Sequence, residues 1–314
     1  MRILTVKQWT RLLLWGVVLA ALLILFARLS PPGPAAGPDE RTAVVLLTED
    51  GPRDLTMADY LPGALAAEMP ASFHPEALKA QAVAIRSYVL AGPRHGGADI
   101  CTDSACCLAY LTEDELRDRW GDDFECNMTA VTRAAAETDG QVLTYEGGII
   151  PAVFHASSAG MTEDSAAVWS ARPYLVSVES PETPESVPGL ITEASFTPDE
   201  LSSLLGLDSA EAPSAWLADI TRDDAGRVGF LYIAGQALSG GFVRSALGLR
   251  STDFQVTFDG ERFIFTVAGN GHGVGMSQYG ADLLARQGLS CEEILSHYYP
   301  GTALIIPEAQ LQEP

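Results

Sequence analysis

An apolar residue recurs every three or four positions over residues 75–90, at Leu78, Ala82, Ile85 and Val89. Apolar residues at these intervals lie on one face of an α-helix, so the pattern predicts an amphipathic helix. Pro75 suits the first helical turn, and Gly92 followed by Pro93 ends the pattern. The sequence therefore predicts a helix over 75–90 that buries one side.

Proline and capping signals predict the remaining helices. Residues 61–69 are expected to form a helix, with Pro62 in its first turn, where the missing N–H is tolerated. Pro70 ends this helix, because the residue before a proline avoids the helical region. Three further segments begin with a capping box that precedes a short apolar run; they are Thr112–Glu115, Thr197–Glu200 and Ser290–Glu293.

Runs of β-branched and aromatic residues predict strands between these helices. Single strands are expected at residues 43–47, 142–145 and 228–233. Residues 254–258 and 262–268 flank Asp259-Gly260 and predict a β-hairpin. Helices come first, hairpins follow and helices return, an order that favours an α+β fold with helices packed on antiparallel hairpins around a cleft.

The N-terminus differs sharply from the rest of the chain. Residues 12–27 are uninterruptedly apolar and follow three basic residues, which favours a membrane anchor with an exported remainder. A cleaved signal peptide is the alternative, but no small-residue cleavage site follows directly. The predicted divisions are an anchor (1–29), a Pro/Gly linker that cannot pack (30–41), one large domain (42–307) with a soft boundary at 185–195, and a tail (308–314).

The charge excludes one class of partner. The chain has 19 basic and 41 acidic residues, a net charge of −22. Four of the basic residues lie in positions 1–28, where there is no acid, so the remainder has 15 basic residues against 41 acidic ones. Such an acidic surface argues against nucleic-acid binding. Beyond the anchor Lys79 is the only lysine.

Three motifs carry the candidate chemistry: Glu68-Met69-Pro70 with the helix after it, the segment His155–Gly160, and the glycine-rich segment Gly271–Gly280. Together they resemble the stage II sporulation protein D family of peptidoglycan lytic transglycosylases, from about residue 42 to residue 306. One departure is Met161, which stands where the family usually has a second glycine. A positive φ at Met161 would be costly, so the conformation of this loop is open.

The resemblance implies an enzyme that cleaves the bond between N-acetylmuramic acid and N-acetylglucosamine and leaves a 1,6-anhydro ring. It implies Glu68 as the acid and base, and no cofactor for the chemistry. Glycan strands stripped of peptide would be the substrate. A cell-wall amidase and a membrane partner would act with it at the engulfing membrane of a sporulating bacterium. The implied substrate-binding residues are Lys79, Arg86, His155, Ser157, Ser158, His272, Gln278 and Tyr279.

The position of Glu68 also suits a general acid on physical grounds. It lies in the last turn of its predicted helix, where the macrodipole disfavours negative charge. Apolar neighbours such as Leu65 and Met69 would raise its pKa further. Glu76 is the runner-up, but it lies at a helix N-terminus with Lys79 three residues on, and both features lower its pKa.

The other implied substrate contacts have competing interpretations. Lys79 and Arg86 are seven residues apart on one helix face, where they could bind the lactyl carboxylate of muramic acid or form an ordinary solvated face. His155 beside two serines suggests a nucleophile pair, but no G-x-S-x-G elbow accompanies it. The glycine segment lacks the Lys-Ser/Thr of a phosphate-binding loop and is interpreted as a rim against which a glycan lies.

The cysteines indicate a metal site. His95, Cys101 and Cys107 are spaced six and six, and nitrogen and thiolate donors suit zinc, with water or Cys106 in the fourth place. A zinc-bearing subset of the family resembles this pattern, and there the metal looks structural. A disulfide to Cys126 or Cys291 is the alternative in an exported domain.

Two other functions remain open. Relatives with these motifs resemble amidase enhancers, which bind the wall and stimulate another enzyme without chemistry of their own. An inverting muramidase is the third alternative, in which Glu68 would act with a second carboxylate such as Glu76 or Glu163.

Overall fold

The computed structural model describes residues 36–92, 95–103 and 105–307. The helices are α1 (Pro38–Arg41), α2 (Met57–Glu68), α3 (Pro75–Leu90), α4 (Glu113–Trp120), α5 (Phe124–Glu137), α6 (Ser165–Val168), α7 (Pro198–Leu205), α8 (Gly240–Leu247), α9 (Gln278–Arg286) and α10 (Cys291–Tyr298). The strands are β1 (Ala43–Thr48), β2 (Gly51–Thr56), β3 (Ile100–Cys101), β4 (Val142–Tyr145), β5 (Gly148–Ile149), β6 (Phe154–His155), β7 (Ile191–Phe196), β8 (Leu217–Arg222), β9 (Val228–Ile233), β10 (Gln236–Ser239), β11 (Phe254–Phe258), β12 (Phe263–Ala268), β13 (Met276–Ser277) and β14 (Ala303–Ile305).

The predicted α+β fold is confirmed. Strand pairing is antiparallel except where β3 joins β1 and β13 joins β6. The predicted hairpin is β11 and β12, with Phe258 opposite Phe263. The three predicted capping boxes all form, at the starts of α4, α7 and α10.

The first hydrophobic core surrounds α3. The four residues of its predicted apolar stripe are all buried. The helix is, however, buried on nearly every side, because α2, α5, α9, α10 and β4 all pack against it. Its many alanines allow these neighbours to approach closely. Helix α3 is therefore the element around which the first core is built, and α2 packs directly against it.

The second hydrophobic core lies in the segment 194–267. Two three-stranded sheets, β10-β9-β8 and β11-β12-β7, enclose it together with α7 and α8. Trp216 stacks on Phe263 at its centre, with ring centroids 5.6 Å apart. This core begins at the end of the boundary predicted at 185–195. Residues 38–307 nevertheless all belong to one compact unit.

The predicted start of α2 is wrong. The helix begins at Met57, four residues earlier, because the Thr56 side chain accepts a hydrogen bond from the Asp59 backbone N–H and the Asp59 carboxylate accepts one from the Thr56 backbone N–H. Aspartate takes the place of the usual glutamate or glutamine in this box, so the signal is easily missed. Pro62 consequently lies inside the helix and not in its first turn. The helix was predicted to end at Met69, and it ends one residue earlier, at Glu68.

The linker prediction also needs correction at its end. Residues 38–41 form α1, and Asp39 is buried against Arg86 of α3. The Arg86 guanidinium donates to both Asp39 carboxylate oxygens and to the Gln141 carbonyl. A buried charge is retained only when it is paired in this way. The segment is therefore part of the domain and packs against its central helix.

The anchor prediction falls outside the described residues, since it rests on residues 1–29. The predicted tail, 308–314, lies outside them as well. Within residues 36–92, 95–103 and 105–307, no helix has the length and apolar character needed to cross a bilayer.

We expect Asp39→Ala to lower the free energy of unfolding by about 3–5 kcal/mol, because it leaves the Arg86 charge buried without its partner. Chemical denaturation followed by circular dichroism measures this. Arg133→Ala is the matched control, since Arg133 is 76% exposed and its ion pair with Glu137 is worth about 1 kcal/mol or less. Equal losses in the two variants would contradict the structural role of the Arg86–Asp39 pair.

Candidate active site

A cleft of about 350 Å³ opens beside the C-terminal end of α2. One wall consists of Glu68, Tyr88 of α3 and the loop from Ala105 to Ala109. The remaining lining residues, which form the second wall, are Val153, Phe154, Trp169 and His272. Glu68 is the only carboxylate among the described residues that line it.

Glu68 is held at the edge of this cleft by backbone contacts. It is the last residue of α2, and its Oε1 accepts a 2.7 Å hydrogen bond from the Ala109 backbone N–H. Burial raises the pKa of the Glu68 carboxyl, and the hydrogen bond from Ala109 opposes this in part. The direction is the one expected from its helix position and apolar surroundings. A carboxyl with a raised pKa and one anchored oxygen can donate a proton from the other oxygen.

The other candidate carboxylates lie elsewhere. Glu76 accepts from Lys79 at 2.8 Å and from the Cys291 backbone N–H, and these hydrogen bonds lower its pKa. Glu163 is buried, 3.5 Å from the Arg227 guanidinium; burial and the nearby Asp223 raise its pKa to about 7. Neither lines the cleft. The described cleft thus lacks the facing pair of carboxylates that a hydrolytic glycosidase uses.

The second and third sequence motifs run side by side. Strand β6 pairs in parallel with β13, so that Phe154 lies opposite Met276 and His155 opposite Ser277. Ser157 and Asn270 exchange backbone hydrogen bonds farther along. The Glu182 carboxylate joins the two segments, because its Oε1 accepts from the Ser158 N–H and from the Ser277 hydroxyl. This pairing forms part of the second wall, from which Phe154 and His272 line the cleft together with Glu68.

The glycines of the third motif make this approach feasible. Gly275 has φ +72°, and a Cβ there would collide with the Val153 carbonyl. Gly273 has φ +85°, and a Cβ would lie 2.6 Å from the Arg227 guanidinium carbon. These two glycines thus pack against the protein itself, and the interpretation of the loop as a rim for the glycan stays a prediction. Met161 does not have a positive φ, so its replacement of glycine carries no strain.

His155 and Ser158 form a buried hydrogen-bonded chain. The Arg227 guanidinium donates to Ser158 Oγ at 3.2 Å, and Ser158 Oγ lies 2.7 Å from His155 Nε2. His155 Nδ1 lies 3.2 Å from the Val274 carbonyl, and this assigns the proton to Nδ1 and the acceptor role to Nε2. Burial lowers the pKa of His155 well below its ordinary value. Ser158 is 0% exposed, so this pair is not an accessible nucleophile.

Of the eight predicted substrate-binding residues, His272 alone lines the described cleft, which it shares with the predicted acid Glu68. Its Nδ1 accepts from the Val274 N–H at 3.0 Å, and its ring lies 5.0 Å from the Trp169 ring. Burial and the charge of Arg244 lower the pKa of His272 to about 4. The imidazole is therefore neutral at physiological pH.

Two predicted anion contacts are not brought to the cleft. Arg86 is 0% exposed and pairs with Asp39, so its prediction as a substrate ligand is wrong: the guanidinium has no path to a ligand. Lys79 lies between Glu76 and Glu137, at 2.8 and 2.6 Å, and those carboxylates already neutralise its charge. The two residues share a helix, as the spacing required, but they face different partners.

The remaining predicted substrate contacts are Ser157, Gln278 and Tyr279, which belong to or pack against the paired segments of the second wall. Ser157 is buried beside Asn270, and Gln278, at the start of α9, is 6% exposed. The Tyr279 ring lies edge-on to Phe73 at 5.0 Å, and its backbone N–H donates to the Ala156 carbonyl. None of the three lines the described cleft.

The residues that sequence reasoning missed are mostly aromatic. Trp169 is 55% exposed at the mouth of the cleft, and Tyr88 and Phe154 complete its apolar surface. An exposed tryptophan between two predicted motifs is a signal that could have been used. No sequence motif near Arg227 indicated a role in the site. It belongs to the segment of the second core, 69 residues from Ser158 in the chain, and only the tertiary fold brings the two side chains together.

A cluster of soft donor atoms lies beside the cleft. The ligand atoms of His95, Cys101, Cys106 and Cys107 all lie within 4.8 Å of one another. His95 Nε2 is 3.0 Å from Cys107 Sγ and 3.9 Å from Cys106 Sγ. All five cysteines are free thiols, and Cys126 and Cys291 are not part of the cluster. Cys106 and Cys107 also line the cleft, three and two residues before Ala109.

Comparison with known proteins places this arrangement in a family. A family model described as stage II sporulation protein matches residues 51–145. The chain is 39% identical to stage II sporulation protein D of Bacillus amyloliquefaciens over 79% of this chain and 74% of that protein. It is 37% identical to the Bacillus subtilis protein of the same name, over 83% and 77%. An amidase enhancer of Bacillus subtilis is 28% identical over 78% of this chain and 40% of that protein.

The class is therefore that of the bacterial stage II sporulation proteins. The chain belongs to the stage II sporulation protein D family.

We expect Glu68→Gln to raise the free energy of unfolding at neutral pH, by an amount of the order of 1 kcal/mol. The folded-state pKa of Glu68 is raised, so the wild-type carboxyl loses stability as the pH rises from its unfolded pKa through its folded pKa. The gain should be absent well below the unfolded pKa and constant above the folded one. Urea denaturation of both chains from pH 3.5 to 8 measures it, and a pH-independent difference would contradict burial as the cause.

Proposed function

We propose that this chain is a lytic transglycosylase of the bacterial cell wall that acts during sporulation. It would cleave the β-1,4 bond between N-acetylmuramic acid and N-acetylglucosamine in peptide-stripped strands and leave a 1,6-anhydro-muramyl end. The observation that carries the proposal is a half-buried carboxyl of raised pKa, Glu68, at an open cleft whose described lining holds no second carboxylate.

In the first step the Glu68 carboxyl donates its proton to the glycosidic oxygen, and the bond from that oxygen to the muramyl anomeric carbon breaks. The raised pKa of Glu68 favours the protonated form that this step requires. The Ala109 N–H holds Oε1, so Oε2 is the oxygen that carries the proton. The N-acetylglucosamine then leaves with a free hydroxyl.

In the second step the C6 hydroxyl of the same muramic acid attacks the anomeric carbon. The Glu68 carboxylate accepts the proton of that hydroxyl as the new C–O bond closes the anhydro ring. The proton balance is then restored, and neither water nor a protein nucleophile is consumed. One carboxyl suffices because the nucleophile is part of the substrate.

The aromatic surface of the cleft suits sugar rings. Trp169 is exposed, and Phe154 and Tyr88 line the same cleft as Glu68. His272 lies against Trp169 and stays neutral, so it offers hydrogen bonding without charge. Five other predicted contacts act indirectly in this proposal, because they hold the second wall in place without lining the cleft. They are His155, Ser157, Ser158, Gln278 and Tyr279.

The cysteine cluster fits a structural zinc ion. For tetrahedral zinc with thiolate ligands, neighbouring donors lie about 3.8 Å apart, close to the spacing already present. His95, Cys101, Cys106 and Cys107 would hold it. Bound zinc would contribute order to the loop and no chemistry, and that loop ends in the Ala109 N–H that contacts Glu68.

A non-catalytic amidase enhancer is the second candidate, favoured by the relative of that name. In either case we propose a domain on the outer side of the cell membrane, anchored by residues 1–29 and working with a wall amidase and a membrane partner. The apolar run at residues 12–27 supports the anchor.

Glu68→Gln should abolish anhydro-muramyl products, with a loss of at least about 100-fold, because the general acid is removed. Mass spectrometry of peptide-stripped strands incubated with the full chain measures this. Glu76→Gln is the matched control and should keep the product, since Glu76 is tied up with Lys79.

Products that retain one added water would point to a muramidase instead. Strand binding without cleavage, together with amidase stimulation that survives in Glu68→Gln, would overturn the transglycosylase and support the enhancer.

Cys107→Ser should release zinc from the purified chain and lower its melting temperature, because one of four ligands is lost. Elemental analysis of metal content and thermal denaturation measure the two effects. Cys126→Ser is the control and should change neither, since Cys126 is exposed and lies outside the cluster. A chain that carries no zinc after expression in zinc-supplemented medium would contradict the metal site.

A further inference from the structure

A second depression, of about 470 Å³, is lined by segments of the chain that also contribute to the Glu68 cleft. Its lining includes Ala91, Tyr145, Ile150, Pro151, Arg172 and Tyr174. No acidic residue contributes to the described lining, although the chain as a whole has a net charge of −22.

The same three segments build both cavities. The end of α3 gives Tyr88 to the cleft and leads to Ala91 in the second depression, about 4.5 Å farther along the helix axis. The segment that enters β6 gives Val153 to the cleft and Pro151 to the depression, about 6–7 Å apart if extended. The third segment gives Trp169 and then Arg172. Three short stretches of chain therefore connect the two cavities, and we take them together as one groove.

Arg172 is the charged group of this depression. Its side chain is exposed and enters none of the ion pairs found among the described residues. Its backbone is fixed on both sides, because its N–H donates to Ser165 Oγ at 2.9 Å and its carbonyl accepts from the Leu175 N–H at 3.0 Å. A guanidinium on a fixed backbone can form two parallel hydrogen bonds with a carboxylate.

Two tyrosines form an apolar surface beside this guanidinium. The rings of Tyr145 and Tyr174 have centroids 5.3 Å apart and are inclined by 46°. Tyr174 is buried and supports Tyr145, which is half-buried and offers part of its ring to the depression. An aromatic ring with a nearby cation suits a sugar that carries an acid group.

We propose that Arg172 and the Tyr145–Tyr174 pair form a second subsite, which binds a neighbouring muramic acid residue of the same strand through its lactyl carboxylate. The inference rests on the proposed function, since it takes a peptide-stripped glycan as the ligand. Peptide removal bares this carboxylate on each muramic acid, and a strand with intact stem peptides has an amide there. The subsite therefore selects stripped strands by charge, a role that Arg86 and Lys79 cannot fill.

Equilibrium binding tests the subsite in the full chain carrying Glu68→Gln, which prevents cleavage. Two probes are used: peptide-stripped strands, and the same strands with their lactyl carboxylates converted to neutral methylamides. We expect Arg172→Gln to weaken binding of the anionic strands about fivefold and to leave the neutral strands unaffected, as loss of one charge-assisted contact implies. Arg172→Lys should lie between, because the charge remains without the planar fork.

Arg133→Gln is the matched control, since it removes one exposed positive charge far from the groove and should bind both probes as the parent does. Equal binding of anionic strands by Arg172→Gln and the parent would overturn the subsite alone. Equal weakening toward both probes would overturn carboxylate recognition. If the parent binds neither probe and the chain with Glu68 intact yields no anhydro product, the proposed function fails with it. Unchanged circular dichroism of Arg172→Gln excludes misfolding as the cause.

Discussion

The close approach of two backbone segments is the constraint on which the site depends. Residues 153–158 and 269–277 run in contact, and glycines at 269, 271 and 275 leave no space between them for a side chain. This contact brings His272 into the lining of the cleft together with Glu68. Helix α9 begins directly after the contact, at Gln278. Because positive φ and close packing coincide at these glycines, no other residue type satisfies both conditions.

Buried charge is handled in two different ways in this domain. Arg86 with Asp39, and Arg227 with Glu163, are buried together, so that each charge has an opposite partner. Glu68 has no cationic partner among the described ion pairs, and its single backbone hydrogen bond does not fully offset burial. The Arg86–Asp39 pair ties α1 to α3, whereas burial without a cationic partner raises the pKa of the Glu68 carboxyl.

Local sequence signals predicted the elements well wherever neighbouring residues determined them. Helix α3 and the β11–β12 hairpin have the bounds that apolar spacing and turn residues indicated, within a residue. The start of α2 was misplaced because an aspartate completes its capping box and a proline is accommodated inside the helix. Burial of α3 on nearly all sides was not readable from its single apolar stripe, since alanine is compatible with either a buried or an exposed face.

The sequence by itself determined the fold class, the family and the carboxylate at the end of a helix, because these depend on residue types at short spacing. Only the tertiary structure decided which charged residues face the cleft. Arg86 and Lys79 share a helix face by spacing, yet Asp39 and Glu137 from distant segments occupy them. Arg172 and Trp169, in contrast, are left open beside the groove. The partner of a long charged side chain is set by whatever the fold brings within its reach, and that information is not local.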